Sequence, residues 1–168
     1  KAFPDWKRVH HIVIIPTYKE PVTTLRRSLE GLINQTVPLK QIHVVMSFEE
    51  REGKDARDKA RILKPEFEKK LGSMVTTFHP VISGEVKGKS ANVSWAARVA
   101  KRRLVDDLGK DPRYVMITNA DADSILHPNY LANLTYAFLD HPKRYQRIWQ
   151  PAVVFYNNIW QVPAPIRV

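Results

Sequence analysis

Residues 9–20 read VHHIVIIPTYKE, and this stretch decides the fold. Its first seven residues are largely β-branched and apolar without alternation, the pattern of a strand buried on both faces. Pro16 is expected to end that strand. The continuation PVTTLRRSLEGLINQT (21–36) sets Leu25, Leu29, Leu32 and Ile33 at helical spacing, and Pro21 suits a first helical turn. A doubly buried strand that passes into an amphipathic helix is the opening of an α/β domain.

The alternation continues along the chain. QIHVVMS (41–47) reads as a second strand, and residues 54–71 as a charged helix with Ala56, Ala60, Leu63, Phe67 and Leu71 inward. Pro65 should kink or break that helix. SMVTTFH (73–79) is a third strand, followed by a helix from about Ser90 to Leu108 that carries Val93, Ala97, Ala100, Leu104 and Leu108 inward, with Gly109 as its terminator. Residues 113–118 form a fourth strand, a helix opened by Pro128 buries Leu131, Leu134 and Phe138, and RIWQPAVVFYN (147–157) is a further extended segment. Strands alternating with helices imply right-handed crossovers and a mostly parallel sheet with helices on both faces, in one domain spanning 1–168.

Composition agrees. A chain of 168 residues, 43% hydrophobic and 26% charged, has the size of one domain and enough apolar material for a core. A net charge of +10 favours anionic neighbours such as phosphorylated ligands, nucleic acid or an acidic membrane surface. The basic residues are spread, as in KRR (101–103) and KPEFEKK (64–70), rather than striped with aromatics, which argues against nucleic acid. With no cysteine, disulfides and thiolate chemistry are excluded, and any metal must use oxygen or imidazole ligands. No apolar run approaches the ~20 residues that span a bilayer, so the chain as given reads as soluble. No G-x-x-x-x-G-K-[ST], G-x-G-x-x-G, H-x-x-x-H or G-x-S-x-G pattern is present, which removes P-loop, dinucleotide, zinc-hydrolase and serine-nucleophile readings.

In parallel sheets ligands bind beyond the carboxyl ends of the strands, and the unusual polar loops of this chain fall there. In NADADS (119–124) an extended backbone would point Asp121 and Asp123 to one side across the small Ala122, as a clamp for Mg²⁺ or Mn²⁺ that takes its remaining ligands from water and a diphosphate. The other reading is an acidic turn leading to the next helix. In VKGKSANVSWA (86–96), Gly88 admits close backbone approach, while Lys87 and Lys89 bring charge to a helix start that attracts anions. A solvated basic loop is its alternative. In PTYKE (16–20), Thr17 and Tyr18 suit a ribose or base slot and Glu20 an acceptor, or the segment is a plain strand-to-helix turn. After strand two, Glu49 or Glu50 would take ribose hydroxyls, or would pair with Arg51 and Lys54.

Together these stretches resemble the family 2 glycosyltransferases of the GT-A fold, a Rossmann-like architecture. IIPTYKEP is similar to the family's opening I-P-x-[YF]-N-E loop, which implies nucleotide contacts at Pro16, Tyr18 and Glu20, with Lys19 where many members have Asn. KGKSANVSWA resembles the K-x-x-[AG]-x-N segment, implying that Lys89 meets the diphosphate and Asn92 supports it. NADADS matches the family's D-x-D, which implies a divalent cation and donor phosphates at Asp121 and Asp123. After strand two the family usually shows Asp, where this chain has Glu49 and Glu50. The resemblance implies sugar transfer with inversion from a nucleotide donor, UDP-linked, to a glycan or lipid acceptor.

By the same resemblance the fold is C-terminally incomplete, with the catalytic base, a carboxylate of a later T-E-D or E-D motif, expected beyond Val168. The chain is then the donor-binding part of a membrane-associated enzyme, at the cytoplasmic face of the membrane. Two other readings stand beside it. A sugar-nucleotide nucleotidyltransferase shares the fold but has a Gly-rich opening loop, and a non-catalytic polyanion-binding module would use the net charge alone.

Overall fold

The computed structural model describes residues 4–151. Four parallel strands, β1 (His10–Thr17), β2 (Ile42–Glu49), β3 (Ser73–His79) and β4 (Val115–Asn119), form one sheet in the order β3-β2-β1-β4. Helices α1 (Val22–Ile33), α2 (Lys54–Phe67), α3 (Lys89–Ala100) and α4 (Tyr130–Asp140) make the crossovers and flank the sheet. As the unbroken apolar runs require, β2 is buried throughout and β1 from its second residue onward.

Alternate residues of these strands serve opposite faces. Val13, Ile15, Val44, Met46 and Phe48 pack with Leu25, Leu29 and Leu32 of α1 and with Ala60 and Leu63 of α2. On the other face Ile12, Ile14 and Val45 meet Ala96, Ala100 and Leu104. The two alanines let α3 approach the sheet closely. α4 covers the β4 end, where Leu134, Phe138 and Leu139 close over Met116 and Val9.

Three expectations need correction. Pro16 does not end β1, which runs on to Thr17 with Pro16 beside Ser47 of β2. The reason lies in the ladder on the β4 side. Ile14 pairs with Asn119 and its carbonyl accepts from the Ala120 N–H at 2.9 Å, so the next rung would run from the residue-16 N–H to the Ala120 carbonyl. Proline has no such hydrogen, so β4 detaches from β1 there while β1 stays paired with β2.

The second concerns the long helix expected to Leu108. Its α-helical part ends at Ala100, and residues Lys101–Asp106 continue as a wider π-helical turn. The buried stripe runs through Asn92, Ala96, Ala100 and Leu104, whereas Val93 and Ala97 are only half-buried and Leu108 is exposed. The widened turn swings the last positions away from the sheet, and Gly109, at φ 60°, ends the segment as expected. Third, α2 stops at Phe67, two residues past Pro65 and short of Leu71. Residues 147–151 of the expected extended segment join no strand of the sheet, and Arg147 has extended backbone; the rest of the segment lies outside the described residues.

Histidines gather at the amino ends of the strands. His10 Nδ1 lies 3.0 Å from His43 Nε2, and His43 Nδ1 lies 2.8 Å from Ser73 Oγ. His11 Nε2 is 2.8 Å from Thr135 Oγ1, which itself donates to the Leu131 carbonyl. Thr135 can therefore only accept from His11, which leaves the proton on Nε2 and Nδ1 as a buried nitrogen without a partner. Burial, with the neighbouring His10 and His43, pushes the His11 pKa down to about 4. Burial, then His10 and Lys110, do the same to His43. Both are neutral residues within strands.

Candidate functional site

The strand order reverses between β1 and β4, and in open α/β sheets that crevice is where ligands sit. The loops leaving β1, β2 and β4 and the start of α3 enclose a cleft there of about 430 Å³. Ten of the residues expected at the site line it, Lys87 and Glu50 not among them: Pro16, Thr17, Tyr18 and Glu20 from the first loop, Glu49 from β2, Gly88, Lys89 and Asn92 around the start of α3, and Asp121 and Asp123 after β4.

The β1 loop reverses through Lys19, whose φ of 63° is the one positive value at a non-glycine residue among those described. Left-handed backbone suits Asn better than Lys. That turn leaves Tyr18 projecting at the cleft wall and hands the chain to α1, where the Pro21 carbonyl accepts from Thr24 and Leu25.

The second loop places the two glutamates differently. Glu49 is buried and accepts from Arg51 Nε at 2.5 Å, whereas Glu50 is exposed and pairs with Arg57 outside the cleft. The Arg51 guanidinium lies 4.0 Å over the Tyr18 ring. Tyr18, Arg51 and Glu49 therefore form one stacked, hydrogen-bonded wall, in which the Glu49 hydrogen bond holds the Arg51 pKa above the ordinary arginine value. A second ion-pair cluster fixes the base of this loop: buried Lys59 reaches Glu52 at 2.5 Å and Asp55 at 2.6 Å. Burial opposes the Lys59 charge, yet Asp55 and Glu52 outweigh it and raise its pKa.

The third wall is α3. Asn92 donates to the Ser47 carbonyl at 2.9 Å and accepts from Ser47 Oγ at 2.5 Å, with the residue only 1% exposed. Its amide is thus committed to the protein. These bonds brace β2 against α3. Lys89, first residue of α3, reaches across the cleft and pairs with Asp121 Oδ1.

Asp121 and Asp123 do not lie on extended backbone, which corrects the expected geometry. β4 ends at Asn119, and the chain turns between the acids, with Ser124 N–H donating to the Asp121 carbonyl at 3.0 Å. Both still border the cleft because the loop is fastened to α1. Ser28 Oγ donates to the Ala122 carbonyl at 2.6 Å. Gln35 donates to the His127 carbonyl and accepts from Leu131 N–H. Sequence reasoning missed Ser28, Gln35 and the wall role of Arg51. Ser28 carried a signal, being a polar residue on the face of α1 that holds Leu25, Leu29 and Leu32.

Among the residues lining the cleft, four carboxylates face two cations, so the cleft is acidic within a basic protein. Among the described residues no group of three or more His, Asp or Glu side chains is placed to hold a metal. Two oxygen donors at an open cleft do not suit structural zinc. They do fit Mg²⁺ or Mn²⁺, which accept one or two carboxylates and complete their shell with water and phosphate oxygens. No helix among the described residues is long and apolar enough to cross a membrane.

Comparison with known proteins bears on this arrangement. The family model described as glycosyl transferase family 2 matches residues 12–149. Among solved structures, the crystal structure of S. aureus TarS is similar at 18% identity and a TM-score of 0.49, covering 79% of this chain and 20% of that one. The crystal structure of S. aureus TarS 1–349 is similar at 18% identity and a TM-score of 0.46, covering 79% and 32% respectively. The present chain thus spans about a fifth to a third of these structures' length. No curated protein matches it at a significant level.

Proposed function

The chain belongs to glycosyl transferase family 2, and from that premise we propose that the cleft binds a nucleotide-diphosphate sugar, UDP-linked, with Mg²⁺ or Mn²⁺, for inverting transfer to a hydroxyl of a glycan or lipid acceptor. The observation that carries this reading is the convergence of three loops and the start of α3 on one acidic cleft at the β1/β4 switch point.

Each wall has a part. Tyr18 with Arg51 supplies a flat face for a base. Glu49 accepts from Arg51 through one carboxylate oxygen, and the other is left to accept from a base or ribose donor. Such a donor beside an acceptor complements the adjacent carbonyl and N–H of uracil. Gly88 and Lys89, at the amino end of α3, receive the diphosphate. An acidic cleft would repel a diphosphate unless a cation came with it, so Asp121 and Asp123 are assigned to hold one. When bound, the ion would neutralise charge developing on the departing diphosphate.

In this reading the described cleft performs the donor half of the reaction: it binds the base, orients the sugar and stabilises the leaving group. The carboxylate that deprotonates the acceptor is expected in the acceptor half, outside residues 4–151. Membrane association at the cytoplasmic face belongs to the same proposal for the whole protein.

Isothermal titration of UDP, GDP, CDP and ADP with and without Mn²⁺ tests the reading. UDP binding should depend on Mn²⁺ and fall at least about tenfold in Asp121→Asn and Asp123→Asn, the scale of losing one charge-assisted contact. Equal UDP affinity of these variants and the unsubstituted protein in Mn²⁺ would remove the clamp from the site.

A further inference from the structure

We infer that Lys89 is the resident counter-cation of Asp121, and that its transfer to an incoming diphosphate couples metal binding to donor binding; the inference rests on the nucleotide-sugar reading of the cleft.

Three observations support it. Lys89 Nζ pairs with Asp121 Oδ1 across the crevice, so the carboxylate assigned to a metal already carries a positive partner. Lys89 also opens α3, where the helix dipole disfavours a cation and favours an anion. The two side chains are 53% and 59% exposed. A pair in that setting contributes little to stability, so it exchanges readily for a better one.

A divalent ion on Asp121 and the Lys89 ammonium on the same oxygen would repel at close range. Without a donor, the metal must therefore displace Lys89 into water. A diphosphate in front of α3 changes that balance, offering Lys89 an anion of higher charge at the helix end it already occupies. Asp121 is then released to the metal. Nucleotide and metal consequently strengthen each other's binding by the same factor, as linkage requires, and the cleft resists loading with metal alone.

Mn²⁺ binding measured by titration calorimetry, and by the electron-paramagnetic signal of free Mn²⁺, tests this in the unsubstituted protein, Lys89→Met and Lys89→Arg, each with and without UDP. Without UDP, Lys89→Met should bind Mn²⁺ about fivefold more tightly, the scale of removing one exposed competing charge, while Lys89→Arg stays close to the unsubstituted protein. UDP should enhance Mn²⁺ affinity in the unsubstituted protein, and that enhancement should shrink in Lys89→Met by a similar factor. If UDP-dependent Mn²⁺ binding is present but Lys89→Met binds Mn²⁺ no more tightly without UDP, the coupling role is overturned and the site reading stands. If no protein binds Mn²⁺ with UDP, both fall.

Discussion

Removing the Asn92 amide separates a brace from a ligand contact. Asn92 makes two hydrogen bonds, both to Ser47, in a position closed to solvent. In Asn92→Ala the Ser47 carbonyl and hydroxyl each lose a partner inside the sheet–helix interface. An unsatisfied buried group costs about 1–3 kcal/mol, although the hydroxyl can rotate toward another acceptor, so the expected loss of unfolding free energy is about 2–4 kcal/mol.

Ser47→Ala removes only the bond from Ser47 Oγ and keeps the backbone carbonyl, so it should cost about 1 kcal/mol. Because the two residues share that bond, the double variant should be less destabilised than the sum of the singles by about 1 kcal/mol. Urea unfolding followed by circular dichroism supplies the four free energies, and UDP titration of the folded variants supplies affinities. A brace lowers stability far more than affinity. If Asn92→Ala leaves stability within about 0.5 kcal/mol while abolishing UDP binding, or if the cycle is additive, the amide serves the ligand instead.

Two further predictions concern residues away from the site's chemistry. His11 and His43 have pKa values near 4 in the fold, against an ordinary 6.5, so the unfolded chain takes up their protons first as the medium is acidified. Their contribution is therefore complete above pH 6.5 and lost as pH falls toward 4, with a slope of up to about 2.7 kcal/mol per pH unit where both differ. Urea midpoints between pH 7 and 4.5 should show it, His43→Gln should flatten it, and a pH-independent midpoint would contradict the buried neutral assignment. Lys19→Asn should raise stability by about 0.5–1 kcal/mol, because Asn tolerates the left-handed backbone there, and the melting temperature by about 1–4 °C. An unchanged or lowered melting temperature would contradict it.

The strands and most helix positions were legible because burial on both faces leaves unbroken apolar runs and helix spacing leaves stripes. Where the reading slipped, polar chemistry had displaced the apolar signal. Asn92 occupies a core position of α3 because Ser47 satisfies it, so the stripe was read one residue late. Ser28 on the inner face of α1 and Gln35 just past its end are buried for the same reason, each satisfied by the loop that carries the acids. The residues bordering the cleft were legible as loops at strand ends, yet their arrangement was not. Which of Glu49 and Glu50 turns inward depends on the 3₁₀ turn at Glu50–Glu52 that sets Arg51 against Glu49, and the turn between Asp121 and Asp123 depends on α1 holding Ala122.

Pro16 has a consequence that reaches past strand pairing. Two parallel strands with free donors and acceptors tend to zip together along their whole length, and an empty crevice between them is what zipping would erase. Placing proline at the first rung beyond Ile14 and Asn119 deletes the hydrogen that would start the closure. The doorway between the two loops is thus propped open by an atom the chain does not have, before any ligand arrives to occupy it.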